Sequence, residues 1–277
     1  MNWVERFLER LGQPKEAPSY EALAKLCRAH LTTLPFENIS KLCYFQQYEQ
    51  TGWYIPPIET YVANLHDLHV GGTCFTNNST FCLLLQQLGY QAELVRFDSN
   101  HLGVSVQLPT GWYYVDVGVG SPVFAPIAIP AGGEAIYCGT GIRLLPKEDV
   151  ADALRFQHIT HGEVTLEWEL SLQKGLTFDD FSEKIKFQNT PGQTFFMNTL
   201  RCKLWQPDRG RSIALVNNTL MIRTEDGVEQ KSQLPDQQAI EEVIAVEFGL
   251  PKLPVREAIS VLESLDIDIF APPKQAE

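Results

Sequence analysis

A cysteine follows two glycines in the segment Gly71, Gly72, Thr73, Cys74, and helical periodicity begins directly after it. The glycines permit tight backbone geometry just before the cysteine. At the start of a helix, unpaired backbone N–H groups and the positive end of the helix dipole favour a negatively charged sulfur. Because the thiolate is the reactive form, we predict that Cys74 is a nucleophile. The alternative is an ordinary buried thiol, the usual role of a cysteine in a core.

His101 and Asp116 are the candidate partners of this nucleophile. A nucleophilic cysteine needs a base, and the base needs a group that orients it. His101 precedes the apolar run LGVSVQL and Asp116 lies within WYYVDVGVG, so neighbouring strands could place the two side by side. A buried aspartate needs a cationic partner, since burying an unpaired carboxylate is costly. If His101 is that partner, its ring could hold Cys74 as a thiolate. The alternative is that His101 is an ordinary solvated or core histidine, which is the more common role of a lone histidine at a strand edge.

The elements that position these residues begin with helices. Apolar residues at helical spacing predict three helices within residues 1–90. The first ends before Pro14, the second lies between Ser19 and Pro35, and the third begins near Cys74. Three such helices form a small bundle.

From residue 91 the period of the apolar residues changes from about 3.6 to about 2, which is typical of strands. The segments AELVRF, LGVSVQL and WYYVDVGVG alternate in this way, and the alternation is clearest at 163–172. Further short strands are expected at 200–205, 211–216 and 218–223, before two C-terminal helices. This order of helices, strands, and strands with helices predicts an α+β fold with an antiparallel sheet or barrel.

Composition excludes several classes of protein. The 277 residues include 34 acidic and 22 basic residues, a net charge of −12, which disfavours binding to nucleic acid or an anionic membrane. No apolar stretch approaches the roughly 18 residues of a membrane span, and the opening segment carries charges, so we expect a cytoplasmic protein. Six cysteines without CxxC spacing indicate neither a disulfide framework nor a zinc ribbon.

Four motifs together resemble one known family. They are LPFEN at 34–38, GGTCFTNN at 71–78, His101 in NHLGVSVQL, and DVGVG at 116–120. In order and spacing they are similar to the arylamine N-acetyltransferases, as is the later stretch from Pro191 to Phe196. The resemblance therefore extends over nearly the whole chain.

The resemblance implies a helical bundle, a β-barrel and an α/β lid. The corresponding parts are the bundle at 1–90, the barrel at 91–195 and the lid at 196–277. It also implies a Cys-His-Asp triad where bundle meets barrel, which by matching position is Cys74, His101 and Asp116.

The reaction that the resemblance implies is a ping-pong acyl transfer from acetyl-CoA, through an acetyl-cysteine, to an aromatic amine or hydrazine. Acetyl-CoA is then the acyl-donor cosubstrate and no metal takes part. We predict six substrate-binding residues: Phe36, Thr73, Phe75, Gly103, Val119 and Phe124.

Two positions depart from the family pattern. The family has an arginine before the two glycines and a glutamate two residues after the cysteine, where this chain has Val70 and Thr76. That arginine is understood to pair with the glutamate of the PFEN segment, here Glu37. Without it, Glu37 must find another donor, move towards solvent or take up a proton. We expect His69 or Lys41 to substitute for the arginine.

Other functions compete with this interpretation. Two HxxH pairs, His66 with His69 and His158 with His161, could bind zinc if helical, although neither has a further ligand at a familiar spacing. Within catalysis, the rivals are an amide synthase that moves a bulkier acyl group and a transglutaminase-like hydrolase. A third alternative is a homologue that binds CoA or an aromatic compound without turnover.

The phosphates of CoA need cations, and one local basic cluster is a candidate. It consists of Arg201, Lys203, Arg209 and Arg211. A solvated strand face explains the cluster at least as well, and no phosphate-cradling loop motif is present.

Overall fold

The computed structural model describes residues 1–98, 101–147 and 153–271. Its N-terminal part is helical, with one two-residue strand. The elements are α1 (Trp3–Leu11), α2 (Tyr20–Thr33), β1 (Phe36–Glu37), α3 (Ile39–Gln46), α4 (Tyr48–Thr51), α5 (Ile58–Asp67) and α6 (Cys74–Gln87). Asn2 caps α1, and Ser19 caps α2 by accepting from the Ala22 N–H at 3.0 Å. The three predicted helices are present as α1, α2 and α6, and the prediction missed α3, α4 and α5.

The middle of the chain forms an eight-stranded antiparallel sheet. Its strands are β2 (Gln91–Phe97), β3 (Leu102–Leu108), β4 (Gly111–Val115), β5 (Ile127–Ala128), β6 (Gly133–Tyr137), β7 (Thr140–Pro146), β8 (Ala153–Thr160) and β9 (Glu163–Leu176). The spatial order is β5-β4-β3-β2-β9-β8-β7-β6, and the two edge strands contact each other, so the sheet nearly closes into a barrel. The strand predicted at 163–172 lies within β9.

A second sheet occupies the C-terminal part. After α7 (Ser182–Gln188) come β10 (Arg201–Gln206), β11 (Arg211–Val216), β12 (Thr219–Thr224) and β13 (Glu229–Gln233), followed by α8 (Gln237–Val246) and α9 (Val255–Ser264). The sheet order is β1-β10-β11-β12-β13, with Phe36 of β1 opposite Lys203 of β10. An N-terminal strand thus forms the edge of a C-terminal sheet.

Two apolar cores support this architecture. The larger joins the helical bundle to the second sheet and to α8 and α9, and α9 packs on α3. The smaller fills the barrel with alternating residues of its strands, among them Phe97, Tyr114 and Phe156. The α+β fold with bundle, barrel and C-terminal α/β part is therefore confirmed. The division at residues 90 and 195 stays a prediction.

Within the three described ranges, the helices are too short or too polar for any of them to cross a bilayer.

Candidate active site

Cys74 is the first residue of α6, and the two preceding glycines let the chain pass close to its neighbours. A Cβ on Gly71 would lie 1.9 Å from the carbonyl oxygen of Pro35, and one on Gly72 would lie 2.6 Å from Cβ of Thr76. Neither position has room for a side chain. The glycines predicted to shape this turn therefore allow the chain before Cys74 to pack against β1 and the first turn of α6.

A third glycine brings the barrel to the same point. A Cβ on Gly118 would lie 2.7 Å from Cα of Cys74 and 2.9 Å from Nδ2 of Asn78. The loop after β4 therefore packs directly on the first turn of α6.

His101 and Asp116 meet at the ends of two paired strands. His101 precedes β3 and Asp116 follows β4. These two strands pair in antiparallel orientation, with Val104 opposite Val115. His101 Nε2 lies 2.7 Å from Asp116 Oδ2. Because this nitrogen is engaged with the carboxylate, Nδ1 is the ring nitrogen left for the hydrogen bond between His101 and Cys74. Cys74 and His101 are each 4% exposed and Asp116 is fully buried.

Asp116 accepts hydrogen bonds from four groups. Besides His101, they are the Tyr114 hydroxyl, the Asn78 amide at 2.8 Å and the Gly118 N–H at 2.8 Å. Burial alone would raise the pKa of Asp116, but the charge of His101 and the hydrogen bonds from His101, Tyr114 and Asn78 hold it below its usual value. Asp116 is therefore a carboxylate at neutral pH.

The same contacts keep His101 positively charged. Burial lowers the pKa of His101, but the charge and hydrogen bond of Asp116, together with the hydrogen bond and charge of Cys74, raise it to about 10. The imidazolium can therefore stabilise a negative sulfur on Cys74 across neutral pH. The sulfur also lies 4.0 Å from Oε1 of Gln188.

The other five cysteines are all buried, and burial raises the pKa of each thiol. They are Cys27, Cys43, Cys82, Cys138 and Cys202. A thiol with a raised pKa is unreactive at neutral pH. Cys74 is set apart from them by its contact with a charged imidazole.

Cys74 and His101 line a cavity of about 910 Å³ between the barrel and the second sheet. The loop after β4 contributes Val119, and the barrel contributes His158 and Trp168. The opposite wall is the face of the second sheet, and the segment from Phe187 to Phe196 closes one side. This volume accommodates a small aromatic molecule together with part of a second ligand.

A family model described as N-acetyltransferase matches residues 19–255. The chain belongs to the arylamine N-acetyltransferase family. No curated protein matched its sequence.

Solved arylamine N-acetyltransferases share the fold of this N-acetyltransferase. The Mycobacterium marinum enzyme is 22% identical, with a TM-score of 0.76 over 95% of this chain and 99% of that chain. The Salmonella typhimurium enzyme is 20% identical, with a TM-score of 0.79 over 95% and 99% of the two chains. The M. marinum enzyme in complex with CoA is 21% identical, with a TM-score of 0.75 over 95% and 98%.

The departures from the family motif change the surroundings of Glu37 in this N-acetyltransferase. Val70 is buried in the bundle core, and Glu37 stays fully buried. The Ser40 hydroxyl and the Gly71 N–H donate to Oε1 of Glu37 at 2.6 and 3.0 Å, and the Ser40 N–H donates to Oε2 at 2.8 Å. Burial raises the pKa of Glu37, although these hydrogen bonds oppose the rise.

Lys41 is a cation that interacts with the charge of Glu37. It is buried on the first turn of α3, and burial lowers its pKa to about 8, opposed by the charges of Cys74 and Glu37. The charges that act on His69 are those of Arg10, Lys252 and His66. Of the two expected substitutes for the missing arginine, Lys41 interacts with the charge of Glu37, while the hydrogen bonds to Glu37 come from Ser40 and the Gly71 N–H.

Of the six residues predicted to bind substrate, Phe36 and Val119 line the cavity. The other four are not among the residues that line it. Thr73 is buried at the start of α6, Phe75 packs on Phe181, Gly103 abuts Tyr114, and Phe124 packs on Tyr137 and Trp205. These four therefore do not form the cavity surface.

Sequence reasoning missed several residues of the site. Asn78 holds Asp116, Tyr114 donates to it, and Gln188 approaches the Cys74 sulfur. Asn78 occurs one helical turn after Cys74, which could have indicated a shared helix face. Nothing in the sequence near Gln188 indicated its position.

The HxxH pairs do not converge on further ligands. His66 Nε2 lies 2.9 Å from the carbonyl oxygen of Arg6, and His158 lines the cavity. Across residues 1–98, 101–147 and 153–271, no three His, Cys, Asp or Glu side chains are grouped so that they could hold a metal ion.

Proposed function

We propose that this N-acetyltransferase moves the acetyl group of acetyl-CoA to the nitrogen of an aromatic amine or hydrazine, through an acetyl-Cys74 intermediate. The observation that carries the proposal is the buried chain of contacts from Cys74 through His101 to Asp116 on the wall of a large cavity. The solved M. marinum enzyme in complex with CoA supports a thioester of CoA as the acetyl donor.

In the first half-reaction, the Cys74 thiolate attacks the thioester carbonyl and the bond from that carbon to the CoA sulfur breaks. The backbone N–H groups at the start of α6 are suited to stabilise the oxyanion. His101 then gives its proton to the departing CoA thiolate, which leaves acetyl-Cys74 and a neutral imidazole.

In the second half-reaction, the nitrogen of the neutral amine attacks the acetyl-Cys74 carbonyl. His101 accepts the proton that the amine loses, and the bond from carbon to sulfur breaks. The amide leaves, and the enzyme returns to thiolate and imidazolium. Asp116 holds the ring in position throughout and stabilises its charged form.

The cavity is suited to an aromatic acceptor. Phe36, Val119 and Trp168 give it apolar and aromatic walls near the triad. Trp168 also stacks on the His101 ring, with centroids 5.6 Å apart.

The test is turnover with acetyl-CoA and an arylamine, followed through the free thiol of released CoA. Cys74→Ser is expected to lower the rate more than about a thousandfold. Cys82→Ser, a change of another buried cysteine of α6, is the matched control and should leave the rate nearly unchanged. A folded wild-type protein that releases no CoA with any arylamine or hydrazine would overturn the proposal.

A further inference from the structure

The cavity wall formed by the second sheet carries positive charge that the triad does not use. Arg201 and Lys203 lie two residues apart on β10, so both side chains point to the same face of the sheet. Arg223 of β12 also lines the cavity. Three cations on one cavity wall are unexpected in a chain with a net charge of −12.

Two of the three cations have no acidic partner among the residues that the structure describes. Arg223 forms an ion pair with Glu229. Arg201, in contrast, contacts the Thr199 hydroxyl at 3.2 Å and the Phe195 ring, and Lys203 Nζ lies 4.2 Å from the centre of the Trp205 ring. The other two members of the basic cluster seen in the sequence, Arg209 and Arg211, both form ion pairs with Glu247, at 3.2 and 2.5 Å. Only Arg201 and Lys203 of that cluster line the cavity.

Lys203 and the catalytic centre both act on His158, which lines the cavity. The side chain of His158 is influenced by the charges of His101, Asp116 and Lys203 alike. Burial, and to a smaller extent the charge of the neighbouring Arg223, lower the pKa of Lys203 to about 7. An anion bound beside Lys203 would offset that repulsion and favour the charged amine.

We propose that Lys203, with Arg201 beside it, forms an anion-binding subsite of the cavity that takes a carboxylate or phosphate group of one of the two substrates. The proposal rests on the proposed function for the identity of those substrates. A carboxylate would belong to the aromatic acceptor, and a phosphate to CoA. Lys203 would then determine which substrates bind without touching the reacting atoms.

The test is calorimetric titration of the protein, without turnover, with four ligands: 4-aminobenzoate, its neutral analogue 4-aminobenzamide, CoA, and pantetheine, which lacks the phosphates. If the anion belongs to the acceptor, Lys203→Met weakens binding of 4-aminobenzoate about tenfold and leaves 4-aminobenzamide unchanged. If it belongs to the donor, the same variant weakens CoA about tenfold and leaves pantetheine unchanged. Either pattern supports the subsite.

Two variants control for structural effects. Lys203→Arg keeps the charge and should retain most of the affinity for the anionic ligand. Lys25→Met removes an exposed lysine of α2 and should change none of the four affinities. Thermal melting of each variant confirms that it is folded.

The subsite is overturned if Lys203→Met binds all four ligands as wild type does, or weakens charged and neutral ligands equally. It is also overturned if the wild-type protein binds none of them. Because binding is measured without turnover, these results are separate from the proposed function. A protein that discriminates by charge at Lys203 but transfers no acetyl group would overturn the proposed function alone.

Discussion

The side-chain amide of Asn78 lies 2.8 Å from Oδ1 of Asp116, and the same amide donates to the Leu102 carbonyl at 2.7 Å. Its oxygen accepts from the Val117 N–H at 2.9 Å. Asn78 therefore joins the helix that begins with Cys74 to the ends of the two strands that place His101 and Asp116. One buried side chain connects all parts of the triad.

Replacing Asn78 with alanine should weaken both stability and catalysis. It removes a donor from a buried carboxylate and leaves the Leu102 carbonyl and the Val117 N–H without this partner. We expect the free energy of unfolding to fall by about 2 kcal/mol, measured by urea denaturation, together with a lower acetyl-transfer rate. Asn218→Ala is the control, because Asn218 makes one such bond, to the Leu234 carbonyl at 3.1 Å, away from the triad. A smaller loss for Asn78→Ala than for Asn218→Ala would contradict this role.

Replacing Lys41 with methionine should slow the reaction of Cys74. Lys41 is a buried cation that interacts with the charges of both Cys74 and Glu37, so its removal leaves less positive charge near the sulfur. We expect iodoacetamide to label Cys74 about fivefold more slowly at pH 6.5, the effect of losing about 1 kcal/mol of charge interaction. Lys41→Arg should label like wild type. Equal labelling rates for wild type and Lys41→Met would show that Lys41 does not act on the sulfur.

The ion pair of His101 with Asp116 should make stability depend on pH in a defined window. The folded-state pKa of His101 is about 10, above the value of about 6.5 expected in the unfolded chain. Its stabilising contribution is therefore complete below about pH 6.5 and is lost as the pH rises towards about 10.

Urea denaturation of wild type and of His101→Gln at several pH values measures this contribution. We expect the variant to be less stable by about 3 kcal/mol at pH 6, since it breaks a buried pair. The difference should shrink between pH 7 and pH 10. A difference that stays constant or grows over that range would mean that His101 is not charged in the folded protein.

Local patterns were enough to predict the elements that bear the triad. Period-2 alternation predicted the strands around His101 and Asp116, and the glycines before Cys74 predicted a tight turn into a helix. Each of these signals depends on residues close together in the chain. Asp116 itself lies just after β4, where its carboxylate accepts a hydrogen bond from the Gly118 N–H.

The surroundings of the triad depend on long-range packing and were less predictable. Lys41 lies on α3, a short helix that the apolar pattern did not reveal, so its charge interaction with Cys74 could not be inferred. Lys203 lines the cavity from β10, which pairs with β1 from the N-terminal part of the chain. No local pattern specifies that pairing, and the positions of the four predicted substrate contacts that do not line the cavity likewise depend on long-range packing.

The most direct test of the proposed chemistry is intact-protein mass spectrometry after incubation with acetyl-CoA alone. We predict a mass increase of one acetyl group on wild type and on Cys82→Ser, and none on Cys74→Ser. Adding an arylamine should remove the acetyl group and yield the amide. An acetyl group that persists on Cys74→Ser, or a wild-type protein that stays unmodified and yet acetylates the amine, would contradict the acetyl-Cys74 intermediate.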